Sequence, residues 1–141
     1  MRKKIKNVIL ELNSSCNNNC LYCYIPQEHK RTRKETPSSF FEGKLKEYRK
    51  KGVLSVDFTG GEPTLYKNLE NLVKFARKIG YKKRTLVSNG RLLSYKKFLE
   101  RLIDAGVNRI VIPFDSHDPK IMDATTRTPR SFAQVVKAIG N

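Results

Sequence analysis

The chain has 141 residues, 38% hydrophobic and 30% charged, a composition typical of one globular domain. Its 29 Lys and Arg against 13 Asp and Glu give a net charge of +16. No apolar run approaches the ~18 residues of a membrane span, and only residues 8–10 are apolar between the basic N-terminus and Glu11. We therefore expect neither a signal peptide nor a membrane anchor.

The positive charge is spread along the chain, and its densest short run is H-K-R-T-R-K at 29–34. Charge of this sign attracts phosphates and acidic partners, and salt screens the attraction. Aromatic residues are not interleaved with the run, so we interpret it as a solvated loop rather than a nucleic-acid patch. A protein that binds or modifies RNA remains an alternative.

The first half of the chain indicates two strand and helix pairs. Residues 5–12 end in an apolar run typical of a strand, and residues 53–58 form a second one. The first helix is predicted to begin at Thr36-Pro37, as N-cap and first helical residue, with a capping box of Ser39 and Glu42 as the alternative. From Asn68 onward, apolar residues repeat at helical spacing.

The second half repeats this order. Strands are predicted around 85–87 and over 109–114. Ser94 is predicted to cap the third helix, and Ser131 with Gln134 to form a capping box for the fourth. The segment D-S-H-D-P that follows the last strand is interpreted as a polar turn. Glycines are predicted to end the four helices, at Gly52, Gly80, Gly106 and Gly140.

Strand, polar loop, helix and glycine thus recur four times. This order predicts an α/β fold: a partial TIM-barrel-like parallel (β/α) repeat with right-handed crossovers. Ligands collect at the carboxyl ends of such strands. We therefore expect the polar segments after the strands to line one face together: the cysteine-containing loop, 59–63, 88–90 and 115–118.

Four units are fewer than a complete barrel contains, since eight need ~250 residues. The strand at 109–114 would then be an apolar open edge, which is an aggregation hazard. We expect residues 1–141 to form one domain that is the N-terminal portion of a larger core, or whose sheet another chain completes.

All three cysteines lie within eight positions, as C-x3-C-x2-C at Cys16, Cys20 and Cys23. Three thiolates so spaced can converge on one metal centre, and they leave a position open where a structural zinc site would use a fourth ligand. Zinc completed by His29 is the alternative. An odd number of clustered cysteines without a secretory leader predicts reduced thiols in the cytoplasm.

Three motifs together resemble the signature of the radical S-adenosylmethionine (radical SAM) superfamily. They are the cysteine triplet with Tyr22 before the last cysteine, Gly60-Gly61-Glu62-Pro63 after the second strand, and Ser88-Asn89-Gly90 after the third. The resemblance covers nearly the whole chain, and the three motifs occur in the order and placement that the family has.

The resemblance implies a [4Fe-4S] cluster held by the three cysteines, with SAM chelated to the fourth iron. It implies that Tyr22 lies on the adenine side, and that Gly60, Gly61 and Glu62 receive the methionyl ammonium. Further candidate contacts to SAM are Ser88 and Asn89, with Asp115 or Ser116 reaching the ribose.

The reaction implied is reductive cleavage of SAM to a 5′-deoxyadenosyl radical that abstracts hydrogen from a substrate. It requires a one-electron reductant of the flavodoxin or ferredoxin type. The substrate class stays open, with an acidic peptide or RNA as candidates that suit the positive charge. A non-catalytic iron–sulfur or zinc module is the alternative function.

The chain departs from the family pattern at several positions. Pro113 stands where the family often has Ser, Arg127 fits a position that is often basic, and Arg130 stands where Gly is common. The family core has six strand and helix units, of which four are recognisable here. The 141 residues alone are therefore predicted to bind a cluster but to hold SAM weakly.

Overall fold

A parallel sheet is the framework of the fold. The computed structural model describes residues 6–30 and 35–141, so residues 31–34 of the basic run and the first residue of the first predicted strand lie outside the described residues. Within them, four strands pair in the order β1-β2-β3-β4. Their bounds are β1 Val8–Glu11, β2 Ser55–Thr59, β3 Lys83–Val87 and β4 Arg109–Val111.

Helices alternate with the strands, which confirms the predicted α/β repeat. The α-helices are α1 Gln27–Lys30, α2 Ser38–Lys50, α3 Leu69–Lys78, α4 Lys96–Ala105, α5 Pro119–Thr126 and α6 Ser131–Ile139. Two 3-10 turns, Pro63–Leu65 and Leu92–Ser94, follow β2 and β3. None of the helices in the described ranges is long and apolar enough to cross a membrane.

The hydrophobic core lies on one face of the sheet. Alternate strand residues such as Val56 and Phe58 are fully buried, in one cluster with helix residues such as Leu45, Leu72 and Leu102. In α3 the buried residues recur at the spacing of one helical face: Leu69, Leu72, Val73 and Ala76. The alternation leaves Ile9 62% exposed on the other face, so the sheet is covered on one side within the described residues.

The predicted boundaries need small corrections. β4 ends at Val111 rather than at residue 114, and Pro113 beyond it has no N–H to donate to a ladder. The first long helix begins at Ser38 with Pro37 at the N-cap, one residue later than predicted. All four predicted helix-ending glycines lie directly at or just past the end of a helix; Gly52, Gly80 and Gly106 have positive φ angles, and Gly140 has a φ of −81°.

Two predicted caps are wrong because their side chains bind elsewhere. Ser94 Oγ donates to Arg91 O (2.6 Å) inside a 3-10 turn, and α4 begins at Lys96. Ser131 is the first residue of α6, and its Oγ donates to Asp123 Oδ1 (2.9 Å), so it does not cap that helix.

The predicted polar turn D-S-H-D-P contains the start of a helix instead. Asp118 is the N-cap of α5, its Oδ1 accepting from Lys120 N (2.8 Å) and Ile121 N (3.4 Å), with Pro119 at the first helical position. The turn between α5 and α6 holds Arg127 and Arg130 at φ of 48° and 66°. A positive φ favours glycine, which accounts for glycine being common where Arg130 stands.

The turn between α5 and α6 is fixed by Asp123. Its carboxylate accepts from Arg130 N (2.6 Å), Ser131 Oγ (2.9 Å) and Phe132 N (2.9 Å). Partial burial opposes ionisation, but these donors outweigh it and hold the pKa of Asp123 below its ordinary value.

We predict that this carboxylate stabilises the fold in a pH-dependent way. Because its pKa is lower in the folded protein, the wild type should exceed Asp123→Asn in stability above about pH 4, the range of an unfolded Asp. The difference in stability should decrease as the pH falls through the lower pKa that Asp123 has in the folded protein. Urea titrations of both proteins at a series of pH values measure it, and a pH-independent difference would contradict the prediction.

Candidate functional site

The polar segments at the carboxyl ends of β1, β2 and β3 are joined by hydrogen bonds, as the fold predicts. Gly61 N donates to Asn13 O (2.7 Å) and Glu62 N to Ser15 O (2.7 Å), while Asn13 Nδ2 donates to Glu62 O (3.0 Å). These contacts fix the segment before Cys16 directly against the Gly60–Pro63 motif.

The two glycines of this motif are needed for the close approach of the two backbones. A Cβ at Gly61 would lie 2.4 Å from both Ser14 O and Ser15 O, and one at Gly60 would lie 2.6 Å from Asn13 O. Gly60 also has a φ of 146°. Glycine is therefore required at positions 60 and 61 by the packing of residues 13–15, independently of any contact with a ligand.

Glu62 is completely buried, and hydrogen bonds from the chain satisfy its carboxylate. Oε1 accepts from Thr64 N (3.0 Å), Thr64 Oγ1 (2.6 Å) and Ser88 Oγ (2.8 Å). Oε2 accepts from Asn89 N (2.7 Å). Through these bonds one side chain from the end of β2 orders the Ser88-Asn89-Gly90 turn at the end of β3.

Asn89 continues this connection to the cysteine-containing loop. Its Nδ2 donates to Asn17 Oδ1 (2.7 Å) and lies 3.8 Å from Cys16 Sγ, within hydrogen-bonding range of sulfur. Its Oδ1 accepts from Arg91 N (3.1 Å). The first three predicted motifs thus form one continuous hydrogen-bonded network.

The three cysteines are free thiols, each half-buried. Cys16 Sγ receives a second hydrogen bond from Asn18 N (3.4 Å), and Cys23 N donates to Cys20 O (3.2 Å) in a tight turn. Burial raises the pKa of the Cys16 thiol, and the hydrogen bond from the Asn18 amide opposes it. Three half-buried thiols, one of which accepts two N–H···S hydrogen bonds, have the chemistry suited to thiolate ligation of an iron–sulfur cluster.

The described side chains assemble neither of the two predicted metal sites, the three-cysteine cluster site or the alternative zinc site. Within residues 6–30 and 35–141, no three His, Cys, Asp or Glu side chains come together as ligands of one metal ion. His29 is exposed, and its carbonyl accepts from Ser14 Oγ (2.7 Å).

The loop between β4 and α5 contacts the cysteine-containing loop through Asp115. Tyr22, 59% exposed, donates through its hydroxyl to Asp115 Oδ2 (2.6 Å). Partial burial and this hydrogen bond raise the pKa of the Tyr22 phenol. Ser116 has a local role, because its Oγ accepts from Asp118 N (3.0 Å) just before α5. Of the two candidates for the ribose, Asp115 is thus the one in contact with the cysteine-containing loop.

Sequence reasoning missed the residues of α5 and the 3-10 turn after β3 that hold the cysteine-containing loop in place. Asn19 N donates to Thr126 O (3.0 Å) and Leu21 N to Thr125 O (2.9 Å), so the loop is fixed to the C-terminal end of α5. Arg91 donates to Asn17 O, to Asn18 Oδ1 (3.2 Å) and to Gln134 Oε1 (2.6 Å). The run of three asparagines between Cys16 and Cys20 was the available signal, since short amides supply local hydrogen bonds.

We predict that Arg91 stabilises the cysteine-containing loop. Arg91→Ala should lower the free energy of unfolding by about 1–3 kcal/mol, because it leaves half-buried acceptors on the loop and on α6 without their donor. Arg101→Ala is the control: Arg101 is 56% exposed in its ion pair with Glu70, so about 0.5 kcal/mol or less is expected. Equal losses in chemical denaturation would contradict the prediction.

The comparisons with known proteins agree with this arrangement. A sequence model of the Radical SAM superfamily matches residues 10–141. PqqA peptide cyclase from Rhodopseudomonas palustris is 37% identical over 116 residues, which are 82% of this chain and 30% of that protein. A probable GTP 3′,8-cyclase from Methanopyrus kandleri is 29% identical over 137 residues, 97% of this chain and 43% of that protein.

A solved structure has a similar fold. SuiB from Streptococcus suis, crystallised with its precursor peptide SuiA, superposes with a TM-score of 0.76 at 21% identity, over 94% of this chain and 29% of SuiB. The chain thus spans less than half the length of the curated relatives it matches. Because the family match covers residues 10–141 and includes all three motifs, this chain belongs to the radical SAM superfamily.

Proposed function

We propose that this chain binds a [4Fe-4S] cluster through Cys16, Cys20 and Cys23 and takes part in the reductive cleavage of SAM. The observation that carries the proposal is the hydrogen-bonded network that links Glu62, Asn89 and the cysteine-containing loop. When bound, the cluster would supply one electron to the sulfonium of SAM, yielding methionine and a 5′-deoxyadenosyl radical that abstracts hydrogen from a substrate.

The protein's own contribution would be to hold the cluster and to orient SAM. The contacts of Asn13–Ser15 with Gly60–Pro63 fix the start of the cysteine-containing loop, and those with α5 fix its middle. SAM would lie beside this loop, with its methionyl group toward Gly60–Pro63 and Ser88-Asn89 and its nucleoside toward Tyr22 and Asp115. The exposed Tyr22 and Asp115 side chains are free to exchange their mutual hydrogen bond for contacts with a ligand.

For the substrate we propose an acidic peptide. The relative named PqqA peptide cyclase and the neighbour crystallised with a precursor peptide both handle peptides, and the net charge of +16 favours an acidic one. The same charge would favour an acidic one-electron donor of the flavodoxin or ferredoxin type. Free thiols suit the reducing cytoplasm as the compartment.

The test is anaerobic reconstitution with iron and sulfide, followed by reduction in the presence of SAM. We expect about four irons and four sulfides per chain and formation of 5′-deoxyadenosine. The triple variant Cys16→Ala, Cys20→Ala, Cys23→Ala should lose both. A wild-type protein that holds a cluster but forms no 5′-deoxyadenosine would favour the non-catalytic module, and one that takes up only zinc would refute the proposal.

Substrate class is tested separately by binding. Affinity for an acidic peptide should exceed that for the same peptide with Glu and Asp changed to Gln and Asn, and it should fall with added salt. If RNA of matched charge binds more tightly, and its affinity decreases more steeply with salt, the peptide assignment is wrong.

A further inference from the structure

Asn89 uses its polar groups on the chain itself rather than presenting them to a ligand. Its backbone N–H is bonded to Glu62, its side-chain oxygen to the Arg91 amide, and its side-chain nitrogen to Asn17 and Cys16. An amide nitrogen has two donors, and both are accounted for by the Asn17 oxygen and the Cys16 sulfur. This arrangement points to an effect on the sulfur instead of a direct contact with SAM.

We propose that Asn89 sets the reduction potential of the cluster through its N–H···S hydrogen bond to Cys16, with Asn17 and Glu62 as positioning residues that hold the amide in place. The inference rests on the proposed function, because it takes Cys16 as a cluster ligand.

The physical reason is that reduction adds negative charge, part of which resides on the ligating sulfurs. A donor directed at such a sulfur stabilises the reduced form more than the oxidised form and so raises the reduction potential. Cys16 is half-buried, so water screens the amide dipole less than it would at the surface. Asn18 N is a second donor to the same sulfur, but it belongs to the backbone and persists in every side-chain variant.

The geometry of Asn89 is fixed from two sides. Asn17 Oδ1, at 2.7 Å, orients one hydrogen of the side-chain amide, which leaves the other directed toward sulfur. Glu62 Oε2, also at 2.7 Å from its donor, fixes the backbone of Asn89. Because Glu62 is completely buried, this anchor is shielded from competition by water.

The experiment is a redox titration of the reconstituted protein without SAM, followed by electron paramagnetic resonance of the reduced cluster. At a fixed potential, Asn89→Ala should lower the ratio of reduced to oxidised cluster by about tenfold, which is ~59 mV toward negative potentials for one electron. Asn17→Ala should shift the potential in the same direction by less, because it removes the oxygen that orients the Asn89 side-chain amide but leaves that amide in place. The matched control is Asn108→Ala, which removes an exposed asparagine that accepts from Arg84 N and donates to Lys82 O at the amino end of β4, the opposite end of the sheet from the cysteine-containing loop, and its potential should equal that of the wild type.

The outcomes separate this inference from the proposed function. If the wild type takes up no iron and sulfide, the proposed function fails and the inference fails with it. If the cluster forms and Asn89→Ala has the wild-type potential, the inference alone is wrong. Should Asn89→Ala not retain a cluster, Asn17→Ala decides: an unshifted potential there overturns the proposal, and a negative shift supports it.

Discussion

Gly61→Ala is expected to destabilise the protein by about 3 kcal/mol, or to lower Tm by roughly 10 °C. The added Cβ would lie 2.4 Å from the carbonyl oxygens of Ser14 and Ser15, and both atoms are backbone. Neither can turn aside as a flexible side chain would, so the two segments must separate. That separation would also break the hydrogen bonds that fix the start of the cysteine-containing loop. Thermal unfolding of the apoprotein measures the loss.

Gly43→Ala is the matched control for this prediction. Gly43 lies within α2, and no described heavy atom beyond its own helix backbone and chain neighbours lies within 4 Å of its Cβ position. Alanine there should stabilise the protein by about 0.5–1 kcal/mol, because it restricts the unfolded chain and favours helix. If Gly61→Ala unfolds at the wild-type temperature, the segment 13–15 can move away without cost, and the contact does not stabilise the fold.

The glycine pair also shows how far sequence reasoning reaches. The resemblance implied that Gly60 and Gly61 make room for a ligand, and the structure adds that they make room for Asn13–Ser15. A Gly-Gly pattern indicates that another group lies close to the backbone at these positions, but it does not identify that group. Here that neighbour lies nearly fifty residues away along the chain, and only the pairing of β1 with β2 brings the two segments together.

The regular elements were predictable because their signals are local. The apolar positions of α3 recur at helical spacing, and the strands are short apolar runs followed by polar loops, so both were found from their periodicity. The parallel order then followed from the alternation of strands and helices. That order alone predicts that the Gly60–Pro63 and Ser88–Gly90 segments meet at one edge of the sheet.

The errors arise where a polar side chain had several possible partners. Ser94 and Ser131 fit the pattern of helix caps, but their hydroxyl groups donate to other partners nearby in the chain, Arg91 O and the Asp123 carboxylate. Conversely, Asp118 followed by Pro119 is itself a helix-start pattern, but the polar residues around it also fit a turn. Hydrogen bonds between distant residues, such as Asn89 to Asn17, leave no periodic signal in one sequence.

Glu62→Ala is expected to destabilise the protein by roughly 3–5 kcal/mol, because Thr64, Ser88 and Asn89 would lose the acceptor that their donors share. The donors are buried or half-buried, so water cannot replace the carboxylate fully. Glu62→Gln should cost less, about 1–3 kcal/mol. Its remaining oxygen can still accept from Thr64 and Ser88, but its amide nitrogen would face the Asn89 N–H, placing donor against donor. Urea unfolding of the apoproteins measures both losses.

Glu47→Ala is the control, because it removes an exposed carboxylate where Glu62→Ala removes a buried one. Glu47 is exposed on α2, in ion pairs with Lys44 and Lys51, and its removal should leave the urea midpoint near the wild-type value. The loss of stability is therefore expected to be largest for Glu62→Ala, smaller for Glu62→Gln and smallest for Glu47→Ala. A Glu62→Ala variant as stable as Glu47→Ala would mean that the donors around position 62 find other partners. The carboxylate would then be available to a ligand at little structural cost, and its role would lie with SAM rather than with the network.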